Sequence, residues 1–256
     1  MESLKNWSWN ATTVLGLALL LGIIGTRSLG RAKRFDVSDG EKVLAEDPRP
    51  PVLYLRSFRD DDRAAHRVSM AGLRVNTEEG ELADLVKHIG PLVAIGKPGE
   101  EVPFFGAVRV YVGQDEWQNR IRKLLSSAPM VILRAGWTAG LWWEVEQCTR
   151  HVIPQRLVVL VPLKRSDYEA FRRKVQNFFP CRLPEYSGRY IGATTLRAVL
   201  YFDEDWTPHM QSVLKKGYMS HLLDKATEEG DVFTKEKSDM RRILEDVLES
   251  VLNRVS

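Results

Sequence analysis

The sequence predicts an α/β domain: a parallel sheet with helices on both faces. Three observations carry this. Near-continuous apolar runs recur at 52–56, 91–95, 130–134 and 157–163, amphipathic segments with helical spacing separate them, and Gly, Pro or charged clusters close each run. At 256 residues, 44% hydrophobic and 28% charged, the chain is long enough to bury a sizeable core and too apolar for wholesale disorder.

The first element precedes that domain. "WSWNATTVLGLALLLGIIG", residues 7–25, carries no charge and is followed by Arg27, Arg31, Lys33 and Arg34. Nineteen such residues span about 30 Å as a helix, close to the thickness of a bilayer core, and Trp7 and Trp9 suit its interface. In a cleaved signal peptide the cations precede the apolar stretch; here they follow it. Residues 10–26 therefore read as one uncleaved transmembrane helix in a cell membrane, with everything after Arg27 in the cytoplasm. The cationic flank also suits contact with anionic lipid.

"FDVSDGEKVLAEDPRPP" reads as a short helix or linker, and its prolines lead into the strand "VLYLRSF". "TEEGELADLVKHIG" places Leu82, Leu85, Val86 and Ile89 at helical spacing and stops at Gly90. A strand in "PLVAIGKPGE" and a further candidate in "AVRVYV" follow. "DEWQNRIRKLLSSA" is an amphipathic helix with Trp117, Ile121, Leu124 and Leu125 on one face, "MVILRAG" is a buried strand, and "RLVVLVPL" is another after one more helix. Beyond Leu163 the reading is a helix in "DYEAFRRKVQNFF", an edge strand in "YIGATTLRAVLYFDEDW" and a terminal amphipathic helix in "KSDMRRILEDVLESVLNRV". The organisation expected is an anchor at 1–34, a linker at 35–50, the α/β domain at 51–210 and a helical extension at 211–256.

Several function classes recede. A formal charge of +3 is not the polycation of a nucleic-acid binder. Cys148 and Cys181 are too few for a disulfide framework or a zinc site, and the five histidines stand singly, so no metal site is expected.

Ligands of open parallel sheets bind outside the carboxyl ends of the strands, where the strand order reverses. The loops to inspect are "RSFRDDDR", "GKPGEE", "RAGWTAGLWWEVE" and "KRSDY". "VLYLRSFRDDD" resembles the first box of Toll/interleukin-1 receptor (TIR) domains. "VILRAGWTAGLWWEVE" resembles the later TIR strand that enters a helix with Trp-x-x-x-Glu spacing, here Trp142 to Glu146. Gly140 to Glu144 is similar to the Gly-Thr-x-x-Glu turn of nucleoside 2-deoxyribosyltransferases, with Leu141 in place of the threonine. The resemblance covers about residues 50–165. It implies a flavodoxin-like sheet and a membrane-anchored enzyme or signalling module. In the enzyme, Glu144 or Glu146 supports cleavage or transfer of the N-glycosidic bond of NAD or a nucleoside, which is substrate and not cofactor. The alternative is a non-enzymatic self-assembly module or nucleotide sensor that forms homo-oligomers.

The chemistry asks for few groups. Breaking a ribosyl–base bond builds positive charge at the anomeric carbon, which a neighbouring carboxylate stabilises or attacks. Arg56 and Arg59, with Ser57 and Asp60 beside them, and the turn bearing Gly96, Lys97 and Gly99 are candidates for holding the nucleotide. Trp137 and Gly140 complete the set of binding candidates; Trp142 and Trp143 read as packing residues. If Leu141, Val145 and Cys148 form the buried stripe of the helix, Glu144 lies about 80° from its centre and Glu146 about 120°. That angle favours Glu144, and the tryptophan spacing favours Glu146.

Overall fold

The computed structural model describes residues 40–57, 78–96, 106–113, 115–186, 196–212, 241 and 244–251. The expected membrane span and its basic flank lie outside these. Among the described residues no helix is long and apolar enough to cross a membrane.

The domain is α/β, built on one mixed sheet of seven strands. In chain order these are β1 (Val52–Leu55), β2 (Leu92–Gly96), β3 (Val108–Tyr111), β4 (Val131–Arg134), β5 (Leu157–Val161), β6 (Ala198–Phe202) and β7 (Pro208–Ser212). Across the sheet they lie in the order β3-β2-β1-β4-β5-β6-β7. The first five are mutually parallel, with Leu53 opposite Val131 and Val93 opposite Val108. Every residue of β1, β2, β4 and β5 is buried, as the unbroken apolar runs require of strands covered on both faces.

Alternation along each strand sorts its side chains between two cores. Leu53, Leu55, Val93, Leu133 and Val159 pack with α1 (Gly40–Glu46), α3 (Trp117–Ser127), α4 (Ala139–His151) and α5 (Arg165–Val175). Val52, Tyr54, Ala94, Ile132 and Val158 pack with α2 (Glu78–Val86) and with Leu244, Val247, Leu248 and Val251 of a helix over residues 244–251. The C-terminal amphipathic stripe thus closes the second face of the sheet.

The sheet departs from the expected all-parallel one on its far side. β6 runs antiparallel to β5, and it is not the edge, because β7 pairs outside it, with Ala198 opposite Ser212. An apolar run such as "AVLYF" states burial and carries no information about direction. β7 has half-buried residues throughout and starts at Pro208, a residue tolerated on an edge strand. The hairpin between them turns on Trp206, which has φ 66°, an unusual angle for a bulky residue. Its ring is held edge-on to Phe202 at 5.1 Å and to Phe179 at 5.8 Å.

Candidate functional site

β1 and β4 lie side by side, and the order of the strands reverses between them. β1 leads directly into Arg56 and Ser57. β4 leads through Ala135 and Gly136 into Trp137 and the start of α4. The Thr138 side chain caps that helix, its Oγ1 accepting from the Leu141 backbone N–H at 3.3 Å, while Arg150 and His151 sit in the last turn, where the helix dipole favours cations. Leu141, Val145 and Cys148 form the buried stripe expected of α4.

The two glutamates of α4 part company. Glu146 keeps 27% of its side chain exposed and pairs with Arg150 one turn on, Oε1 to Nη2 at 2.7 Å. Glu144 is 6% exposed, and its Oε2 has no hydrogen-bond partner among the described residues. Burial pushes the Glu144 carboxyl up to about 8, against the opposing pull of the Arg56 guanidinium. Glu144 is therefore mainly protonated at neutral pH. Beside it, burial raises the Cys148 thiol, and the Glu144 carboxyl raises it further. Cys148 is buried and Cys181 half-buried, both as free thiols.

The other binding candidates divide three ways. Arg56 and Ser57 are buried at the end of β1, and Arg134 is buried at the end of β4. Trp137 is 43% exposed in the loop, whereas Trp143 packs edge-on against Trp117 at 4.9 Å and Trp142 lies under Lys174 Nζ at 4.7 Å from the ring centroid. The glycines read differently from each other. A side chain at Gly96 would meet the Tyr111 ring at 2.7 Å, so close packing with β3 accounts for this glycine. At Gly140 the nearest atom, Trp117 Cη2, is 3.9 Å from where a Cβ would sit, so space does not require a glycine there. Arg59, Asp60, Lys97 and Gly99 lie outside the described residues.

The sequence reading missed two charged residues next to this site. Arg109 on β3 is wholly buried and forms a two-point pair with Glu79 of α2, Nη1 to Oε1 at 2.6 Å and Nη2 to Oε2 at 2.9 Å. Arg56 Nε lies 3.6 Å from the same Glu79 Oε1. The available sign was an arginine in the alternating strand "AVRVYV", on the same face as Ala94, its register partner and a residue of the α2 core. The acidic start of α2 supplies the partner.

Glu144 lines neither of two cavities. One is an apolar gap lined by Leu133, Val145, Cys148, Val159 and Phe171 among others; the second is open, between Arg172, Gln176 and Arg182. Among the described residues no group of three or more His, Cys, Asp or Glu side chains is placed to hold a metal ion. No family model matches the chain, and no curated protein or solved structure matches it either.

Proposed function

We propose that this chain is a membrane-anchored, TIR-like domain whose switch-point crevice takes a nucleotide, NAD-like or nucleoside, and that Glu144 serves cleavage or transfer of its N-glycosidic bond. The observation that carries this reading is the Glu144 carboxyl, buried with no partner for Oε2 among the described residues and within electrostatic reach of Arg56. Leaving a buried polar atom unsatisfied costs about 1–3 kcal/mol, a strain that functional groups commonly carry. The parallel strands lie in the order β3-β2-β1-β4-β5, that of doubly wound dinucleotide-binding sheets and not the flavodoxin-like order expected, and this order supports a nucleotide at the switch point between β1 and β4. The Gly140 to Glu144 spacing supports the assignment to Glu144 over Glu146.

A protonated Glu144 suits a leaving base that needs a proton. As the bond from the anomeric carbon to nitrogen breaks, its electron pair goes to the base and Glu144 delivers its proton to that base. The carboxylate left behind faces the positive ribosyl carbon, which water or a second base then captures. Nicotinamide departs neutral and takes no proton, so with an NAD-like substrate the ionised form of Glu144 is the working one. Arg56 is the group for the substrate's anionic part. The apolar segment at 10–26 and its cationic flank support single-pass anchoring with the domain in the cytoplasm.

The test is incubation of the full chain, reconstituted in lipid, with NAD and a nucleoside panel, next to Glu144→Gln and Glu146→Gln. Turnover lost in the first variant and kept in the second supports the reading. No turnover at high protein concentration, or turnover indifferent to Glu144→Gln, overturns it.

One observation favours a second reading, a non-enzymatic self-assembly module or nucleotide sensor. Arg56 and Glu144 are both buried, while Trp137, in the loop before α4, is exposed. Forced clustering separates the readings: it elicits product from the enzyme, whereas a sensor gives a ligand-dependent melting shift and no product.

A further inference from the structure

The open hollow at the end of α5, about 390 Å³ in volume, is lined by three arginines and, among the described residues, by no acid. Arg172 and Arg173 come from the last turn of α5, and Arg182 joins them from the loop that follows Phe179. They differ in what already holds them. Arg172 is committed to Glu169, with Nη2 at 2.6 Å and Nε at 2.9 Å from the same Oε2, and its Nη1 donates to the Leu183 carbonyl at 3.2 Å. Arg182, 82% exposed, is 3.6 Å from Glu185 Oε1, an oxygen that Arg172 approaches to the same distance. Arg173 is exposed, and no carboxylate pairs with it among the described residues. The helix dipole favours cations in the last turn of α5. It gives no reason for Arg182, which stands outside the helix on the same hollow.

We propose that this hollow binds a phosphate monoester, free or as a lipid headgroup, with Arg173 and Arg182 taking the phosphate oxygens. The proposal is independent of the reading of the crevice between β1 and β4.

The hollow is built before any ligand arrives. The Gln176 side chain ties the loop to the helix, Nε2 donating to the Cys181 carbonyl at 2.7 Å and Oε1 accepting from the Leu183 N–H at 3.0 Å. With the Arg172 bond to Leu183, these contacts fix residues 181–183 against α5, so little ordering is left for binding to impose. Guanidinium groups stay charged at any working pH, and their planar donors match phosphate oxygens. A dianion answers two such groups, whereas a carboxylate answers one. The competitor within the chain is Glu185, 64% exposed at its longer contact. Phe179 and Pro180 add an apolar wall, and the Phe179 ring is itself stacked on Phe202 at 5.5 Å. That wall and the volume of the hollow suit an ester with an organic group better than the bare ion.

Cys181 reports occupancy, because its half-buried thiol lines the hollow while Cys148 is buried. The experiment measures how fast iodoacetamide alkylates Cys181 in the full chain, held in phosphatidylcholine vesicles, as inorganic phosphate or phenyl phosphate is added at constant ionic strength. Saturable slowing is expected, with phenyl phosphate the more effective and chloride without effect. Arg173→Gln is expected to raise the half-protecting concentration about tenfold through the loss of one charge-assisted contact. Glu185→Gln is expected to lower it about threefold by removing the acid that competes for Arg182. Both residues are exposed, so neither variant threatens the fold. A second arm omits the soluble probes and adds phosphatidic acid, a lipid phosphate monoester, to the vesicles. Slowing with the soluble probes supports a free ester as the ligand, and slowing with phosphatidic acid alone supports a headgroup. Labelling unmoved in both arms overturns the proposal, as does slowing that chloride reproduces or that Arg173→Gln leaves at parent strength. Because the readout is local to Cys181, this result and turnover of NAD or nucleosides fail separately.

Discussion

Glu144 and Glu146, two positions apart on α4, end in opposite surroundings: Glu144 is buried, its Oε2 without a partner among the described residues, and Glu146 meets Arg150 at 2.7 Å in partial contact with solvent. Two residues of helix turn the side chain through about 200°. That rotation separates a buried acid that holds its proton at neutral pH from a half-exposed one paired with arginine.

Stability against pH should carry the mark of Glu144. Its folded value of about 8 lies above the ordinary glutamate value of 4.5, so between these values the folded state binds the extra proton. Stability from this group is full below about 4.5, declines as pH rises, and is gone above about 8, a change of the order of 5 kcal/mol. Urea unfolding at pH 5, 6.5 and 8.5 checks this. Glu144→Gln should remove the decline, so that the variant gains on the parent as pH rises; parallel curves for the two proteins would refute it.

The same proton should shape activity. Cleavage of a nucleoside whose base takes the proton is expected to fall as pH rises through about 8, whereas cleavage of NAD is expected to rise toward that value. Profiles of kcat from pH 5.5 to 9.5 with both substrate types distinguish the limbs. A profile flat across this range for both would exclude Glu144 as the titrating acid.

Glu146→Gln should do little. The lost pair with Arg150 is solvent-screened, its side chains 27% and 63% exposed, and such pairs contribute about 0–1 kcal/mol. A melting temperature close to that of the parent is expected, and a large drop would show that Glu146 has a structural task beyond this pair.

Arg109→Leu should be severe. It strips a half-buried carboxylate of its two-point, wholly buried partner, and breaking a buried pair from one side costs about 3–5 kcal/mol, here an upper range. Denaturant midpoints measure the loss. Pairing it with Glu79→Leu should recover part of the stability, since Glu79 is then no longer left as a carboxylate without its two-point partner, although Arg56 loses its 3.6 Å contact.

Gly40→Ala should loosen α1 from the sheet. A Cβ at this position would collide with the Arg109 carbonyl oxygen, which is backbone and cannot swing aside. Overpacking of this kind costs about 1–3 kcal/mol. Faster amide exchange within 40–46 is the local signature, and unchanged exchange would count against the contact.

The sheet was legible because its central strands are buried on both faces, and burial writes itself as unbroken apolar runs such as Val131–Arg134 and Leu157–Val161. β7 was not, since "PHMQS" shows no alternation and a single core-packing apolar residue, Met210, and forms by pairing with β6 across the turn at Trp206. Helix periodicity brought Glu144 nearer the core than Glu146, because both angles follow from one buried stripe. The pair of Arg109 with Glu79 depends on residues 30 positions apart, a relationship that exists only once β3 and α2 have met.

The packing of residues 244–251 bears on how the protein is made. Leu244, Val247, Leu248 and Val251 belong to the same core as Val158, Leu160 and Val199, so that core is incomplete on the ribosome until this late segment has emerged. The nascent domain must spend that interval with part of an apolar sheet uncovered. A chaperone that binds exposed hydrophobic chain has its natural target there, and ribosome-bound chains stopped before residue 244 should be held by it far longer than chains that extend past residue 251.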